Sequence, residues 1–91
     1  MPPPRFTESD IRDRCIAEIV KLVDDPAIPV SGSLTFPEMG VDSASSAYLV
    51  VEIEEWLGLD LYPEVLSDFP TIDAFAQEMA RRLAGEPDAK G

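Results

Sequence analysis

An all-α domain is predicted, a small antiparallel bundle of three main helices plus one short helix, within a chain of 91 residues. Three observations carry that prediction. Apolar residues recur at spacings of three and four in three separate segments. Each of those segments is entered at a threonine or serine and left at glycine or proline. Nowhere do apolar and polar residues alternate over a run long enough for a strand.

Residues 1–6 read as a disordered tail, with three prolines and few groups to bury. Thr7 is placed as the cap of the first helix, with Asp10 three residues on in the position that answers a capping hydroxyl. Ile11, Cys15, Ile19 and Leu22 form its apolar stripe, widened by Ile16, Val20 and Val23; Arg12, Asp13, Glu18 and Lys21 take the other side. Proline disfavours helical geometry in the residue before it, so Asp24-Asp25-Pro26 ends the helix. A long connection, 24–42, follows. Ile28, Val30, Leu34, Phe36, Met39 and Val41 are expected to pin it to the core, and Gly40 to supply a conformation that other residues resist.

The second helix is predicted from Ser43 to Leu57. Ser46, Leu49, Val50, Ile53 and Leu57 share one face, Glu52 and Glu55 lie opposite, and Val51 and Glu54 flank them. Gly58 suits the C-terminal cap. Leu59–Tyr62 is a short extended link, and Pro63 opens a brief helix through about Leu66. Thr71 caps the last helix, whose stripe is Ile72, Phe75, Ala76, Met79, Ala80 and Leu83. Gly85 and Pro87 close it, which leaves 7–84 as the folded domain and 85–91 as a disordered tail.

Composition narrows the function. Cys15 is the only cysteine and there is no histidine. An internal disulfide, the usual zinc ligands and the Ser-His and Cys-His nucleophile pairs are thereby removed. Cys15 itself falls on an apolar face and reads as a small core residue. The net charge is −11, and no lysine or arginine occurs between Lys21 and Arg81. Such a surface repels phosphate backbones and anionic lipids, so no nucleic-acid partner and no membrane partner is expected, whereas basic protein patches are attracted. Without an apolar run of spanning or signal-peptide type, a cytoplasmic monomer is the simplest expectation.

One residue stands out. Ser43, in Phe36-Pro37-Glu38-Met39-Gly40-Val41-Asp42-Ser43, sits where the long loop gives way to the acidic second helix. Hydroxyls at helix starts commonly cap unpaired backbone amides, so a cap is the plain reading of Ser43. Asp42 is equally suited to that role.

With Phe36, Met39-Gly40-Val41-Asp42-Ser43, the Leu49, Val50, Ile53 and Leu57 face, and Phe69-Pro70-Thr71-Ile72 together, the chain resembles the phosphopantetheine-binding carrier proteins of polyketide, fatty acid and nonribosomal peptide synthesis. The resemblance runs from about Thr7 to Leu83. Gly-x-Asp-Ser is more similar to acyl carriers than to peptidyl carriers, which more often show Gly-Gly-x-Ser, though a peptidyl or aminoacyl carrier stays open. Pro70-Thr71-Ile72 is more similar to the polyketide and nonribosomal branch than to stand-alone fatty acid carriers. A discrete subunit and an excised domain both fit.

The resemblance implies a non-catalytic carrier with 4′-phosphopantetheine attached to Ser43 by a phosphopantetheinyl transferase. It further implies acyl groups held as thioesters for a ketosynthase, an acyltransferase, or an acyl- or aminoacyl-adenylating ligase. Asp42 would then help orient the magnesium-dependent transferase, Val51 would lie near the arm, and Glu52, Glu54 and Glu55 would form an acidic recognition surface. Two departures bear on partners: Ala44 stands where the family usually has leucine, and Tyr48 where a charged or small residue is common. Two other readings remain. One is an acidic helical docking module whose serine is never modified. The other, a small hydrolase using Ser43, is poor because no base is evident.

Overall fold

The computed structural model describes residues 6–85. Four helices follow one another: α1 (Glu8–Val23), α2 (Ser43–Leu57), α3 (Val65–Asp68) and α4 (Ile72–Leu83), with a single 3-10 turn at Pro37–Met39 in the long connection. The described residues contain no strand, only an isolated bridge between Thr35 and Thr71. Residues 1–5 and 86–91, most of the two expected tails, lie outside the described residues.

Each main helix begins at the cap that satisfies its first amides. Thr7 accepts from the Asp10 amide at 3.1 Å while Asp10 accepts from the Thr7 amide at 2.9 Å, a reciprocal box. Thr71 Oγ1 accepts from the Ala74 amide at 3.1 Å and fixes where α4 starts. We expect Thr71→Ala to destabilise the domain by about 1 kcal/mol, the usual loss of a side-chain cap. In urea unfolding this appears as a lower midpoint at unchanged slope.

α1 packs on both α2 and α4. Arg14 of α1 lies over the Trp56 ring near the end of α2, and Glu18 acts on Tyr48 near its start, so α1 and α2 run antiparallel. Between the helices sit Ile11, Cys15, Ile19, Leu49, Ile53, Phe75 and Met79, all essentially inaccessible to water. Burial pushes the Cys15 thiol up to about 12, so it stays protonated and unreactive. Phe36 and Phe75 meet edge to face with centroids 6.4 Å apart, which ties the long connection to α4.

Several expectations are corrected. Glu18 is not on the solvent side of α1; it is 5% exposed and paired with Arg14 at 3.1 Å and Lys21 at 3.7 Å. Val20, expected to widen the core face, is 53% exposed. Phe6, expected in the disordered tail, instead packs on Trp56 with ring centroids 4.2 Å apart, so packing begins one residue before the cap. The short helix runs Val65–Asp68, two residues later than Pro63 suggests, because Pro63 and Glu64 form the turn that precedes it. Glu78 carries a second buried charge, held by Arg81 and by Arg82 at 2.9 Å, so its burial is compensated.

Candidate functional site

The start of α2 is set by a loop with little freedom. Glu38 Oε1 accepts from the Thr35 amide at 2.8 Å and the Thr35 hydroxyl at 2.9 Å, closing the 3-10 turn. Gly40 then takes φ 83°, the left-handed region, and its missing Cβ leaves room for Val23 and Ile28. The Val41 amide donates back to Phe36 C=O at 3.0 Å, and buried Met39 and Val41 anchor the turn.

Asp42 is the cap of α2. Its Oδ1 accepts from the Ser45 amide at 2.9 Å and the Ser45 hydroxyl at 2.8 Å, while the Asp42 amide donates to Ser45 Oγ at 2.9 Å. Ser46 donates its hydroxyl to the Ser43 carbonyl at 3.0 Å. Ser43, the first helical residue, is exposed, and its own hydroxyl takes part in none of these bonds. The capping task that the sequence left open between two residues therefore falls to Asp42 and Ser45. Ser43 keeps an uncommitted hydroxyl on an exposed residue beside the first-turn amides and the positive end of the helix.

Both loop carboxylates are held below the usual carboxylate range, Asp42 by the hydrogen bonds from Ser45 and Glu38 by those from Thr35. A folded-state pKa lower than the unfolded one means the folded chain releases these protons more readily. The resulting stability is fully present at neutral pH and is lost as pH falls below about 4 through the folded values. We expect the urea midpoint to decline over that window. The decline should be shallower in Asp42→Asn with Glu38→Gln, whose amides do not titrate.

The predicted recognition residues separate into two groups. Ala44, Tyr48, Val51 and Glu55 are exposed and, at spacings of four, three and four, form one ridge along α2 from Ser43. Tyr48 is 52% and Val51 48% exposed. Glu52 is half-buried beside Tyr48, and its carboxylate raises the Tyr48 phenol. Glu54 is turned away from this ridge: it is half-buried and accepts from the Leu61 amide at 2.8 Å, closing the turn after α2. Its substitution therefore affects folding as well as any surface.

Sequence reading missed the groove beside Ser43. Thr35, Pro37, Ser46, Leu66, Ser67 and Pro70 line it together with Asp42 and Ser43. Leu66 and Ser67 arrive from α3, whose shifted start hid them, and the Phe36 amide bond to Pro70 C=O at 3.0 Å brings in the α4 entrance. No periodicity within one segment could signal that convergence. Phe69-Pro70-Thr71 was the available trace.

A family model described as the phosphopantetheine attachment site matches residues 13–79. The chain belongs to the phosphopantetheine-attachment family. Carriers of this family hold a covalent 4′-phosphopantetheine, and the exposed, unbonded hydroxyl of Ser43 at a helix start suits such a phosphodiester. The chain is also similar to a solved structure, the NMR structure of the HMG-ACPI domain from the CurA module of Lyngbya majuscula. That similarity has a TM-score of 0.77 at 20% identity and covers 93% of this chain and 88% of that one, which establishes the fold. No curated protein matches. Among the described residues of this carrier, no helix is long and apolar enough to cross a membrane.

Proposed function

We propose that this chain is an acyl carrier protein of a polyketide or related natural-product assembly line, carrying 4′-phosphopantetheine on Ser43. The observation that carries this reading is the division of labour at the start of α2. Asp42 and Ser45 cap the helix, which leaves the Ser43 hydroxyl exposed and unbonded. A docking module whose serine served only as a cap would turn that hydroxyl into the helix. The fold likeness to the HMG-ACPI domain and the Asp42-Ser43 pair support an acyl cargo.

In this reading a phosphopantetheinyl transferase supplies the arm from coenzyme A. The bond from Ser43 Oγ to phosphorus forms, the phosphoanhydride bond of coenzyme A breaks with adenosine 3′,5′-bisphosphate as the leaving group, and a base of the transferase takes the hydroxyl proton. Once bound, the arm provides a terminal thiol that holds acyl groups as thioesters. The chain's own residues position and recognise. First-turn amides of α2 face the phosphodiester, and ionised Asp42 faces the magnesium-bearing transferase. Tethering then presents the cargo to ketosynthase, acyltransferase or ligase at high local concentration. Beyond accepting the arm at Ser43, no residue of the chain is asked for bond chemistry.

Purified protein incubated with coenzyme A, magnesium and a broad-specificity transferase is expected to gain one phosphopantetheinyl group by intact mass. The exposed ridge of α2 is the proposed partner surface, and Glu55 is its cleanest probe because it is exposed. We expect Glu55→Lys to slow association with a basic transferase severalfold at low salt, with stability within about 0.5 kcal/mol of the parent. Raising the salt should narrow the difference, since the Debye length falls to about 8 Å at physiological ionic strength. Equal stopped-flow rates at low salt would remove Glu55 from the surface.

A further inference from the structure

We propose a second docking surface, away from the α2 ridge: the groove between the C-terminal end of α1 and the loop after it receives a lysine- or arginine-flanked apolar segment of a partner protein. Val20, Val23, Ile28, Pro29 and Val30 form its walls, with Asp24 on the rim. The inference goes beyond the carrier reading and holds whether or not Ser43 is modified.

Val20 is the first reason. It is the most exposed of the large apolar residues, at 53%, and lies outside the α1 core stripe of Ile11, Cys15 and Ile19. The walls around it are firm. Val23 and Val30 pack on the core, and Ile28 lies against Gly40. Pro26 and Pro29 restrict the loop backbone, and Asp25 accepts from the Ala27 amide at 3.0 Å to brace the turn. A preformed apolar groove loses little conformational entropy when it is filled.

Asp24 is the second reason, and it specifies charge. It is the one described non-glycine residue with positive φ, 51°, and it occupies the C-cap of α1. Glycine is the ordinary residue there, and a carboxylate at that end meets the negative pole of the helix. Two local disadvantages thus converge on an exposed side chain that makes no hydrogen bond or ion pair among the described residues.

Among the described residues no cation pairs with this rim. Lys21 is engaged with Glu18, and the sequence has no further basic residue before Arg81. A second copy is a poor occupant because each chain carries −11. A basic segment with an apolar face matches both the walls and the rim. Gly40, three residues before Ser43, lies against Val23 and Ile28 of the groove wall.

Methyl-labelled protein titrated with a short synthetic helix-forming peptide, leucine on one face and lysine on its flanks, tests the proposal. The methyl resonances of Val20, Val23, Ile28 and Val30 are expected to shift. A glutamate-flanked peptide of the same apolar face should leave them unmoved. Val20→Ser with Asp24→Asn should weaken lysine-peptide binding about tenfold or more. Both positions are exposed and asparagine tolerates the left-handed backbone, so the fold is retained. Shifts confined to the Ala44 and Val51 methyls of the α2 ridge, equal response to both peptides, or undiminished affinity in the double variant would overturn the proposal. So would groove shifts that follow protein concentration without peptide, which would mean self-association. Acylating the chain's own arm offers a further outcome. Groove shifts seen then and without peptide would assign it to cargo and overturn it too. Because the peptide titration uses unmodified protein, its failure leaves the intact-mass result on Ser43 untouched.

Discussion

Ser43→Ala is expected to take up no phosphopantetheine while melting within about 2 °C of the parent. Complete loss with an intact fold is an unusual combination, and it follows from the bonding at the start of α2. Surface changes that remove no hydrogen bond typically alter stability by less than about 0.5 kcal/mol. Ser43 Oγ makes none, because Asp42 and Ser45 bond each other instead. The neighbouring hydroxyls are poor substitutes. Ser45 Oγ donates to Asp42 Oδ1 at 2.8 Å, and Ser46 Oγ donates to the Ser43 carbonyl at 3.0 Å. A mass gain that survives in Ser43→Ala would move the attachment to one of them and sink the proposed site. Should the parent itself take no group from a generic transferase, Ala44→Leu separates two causes. Uptake restored would show a carrier specialised for another transferase, and continued silence would favour an unmodified docking module.

Phe36→Ala is expected to produce the largest loss of stability, about 3–5 kcal/mol. Against a typical domain stability of roughly 5–15 kcal/mol this is a major fraction. For a domain of this size it corresponds to a melting point roughly 15–30 °C lower by circular dichroism. The reason lies in what one ring connects. Phe36 is 2% exposed, meets Phe75 edge to face, and sits between the Pro70 carbonyl and the Val41 amide that its backbone binds. Removing it opens a cavity under the loop that seats Asp42 and lines the groove beside Ser43. Phe36→Leu keeps most of the volume and should cost less than about 2 kcal/mol. A drop of only a few degrees in Phe36→Ala would show that the loop, rather than the ring, holds the connection to α4.

Much of the fold was legible because its signals are local. Thr7 with Asp10, Gly58, and Thr71 before Ile72 each mark a boundary through bonds spanning a few residues, and all three boundaries fall where those residues place them. The apolar stripes of α2 and α4 follow from spacing alone. What failed was local pattern at points of long-range contact. Glu18 obeys the polar side of a helical wheel but is drawn inward with Arg14 where α1 meets α2. Val20 obeys the apolar side but finds no helix to cover it.

The sequence by itself determined the four-helix architecture, the family, and the serine that begins α2, since caps, periodicity and a contiguous motif are written in neighbouring residues. Only the tertiary structure decided which of Asp42 and Ser43 caps that helix and left one hydroxyl free. It alone turned Glu54 toward Leu61 and gathered residues from the long connection, α2, α3 and the α4 entrance around one groove. Those outcomes depend on distances between residues far apart in the chain, and such distances are fixed by packing rather than by any local preference.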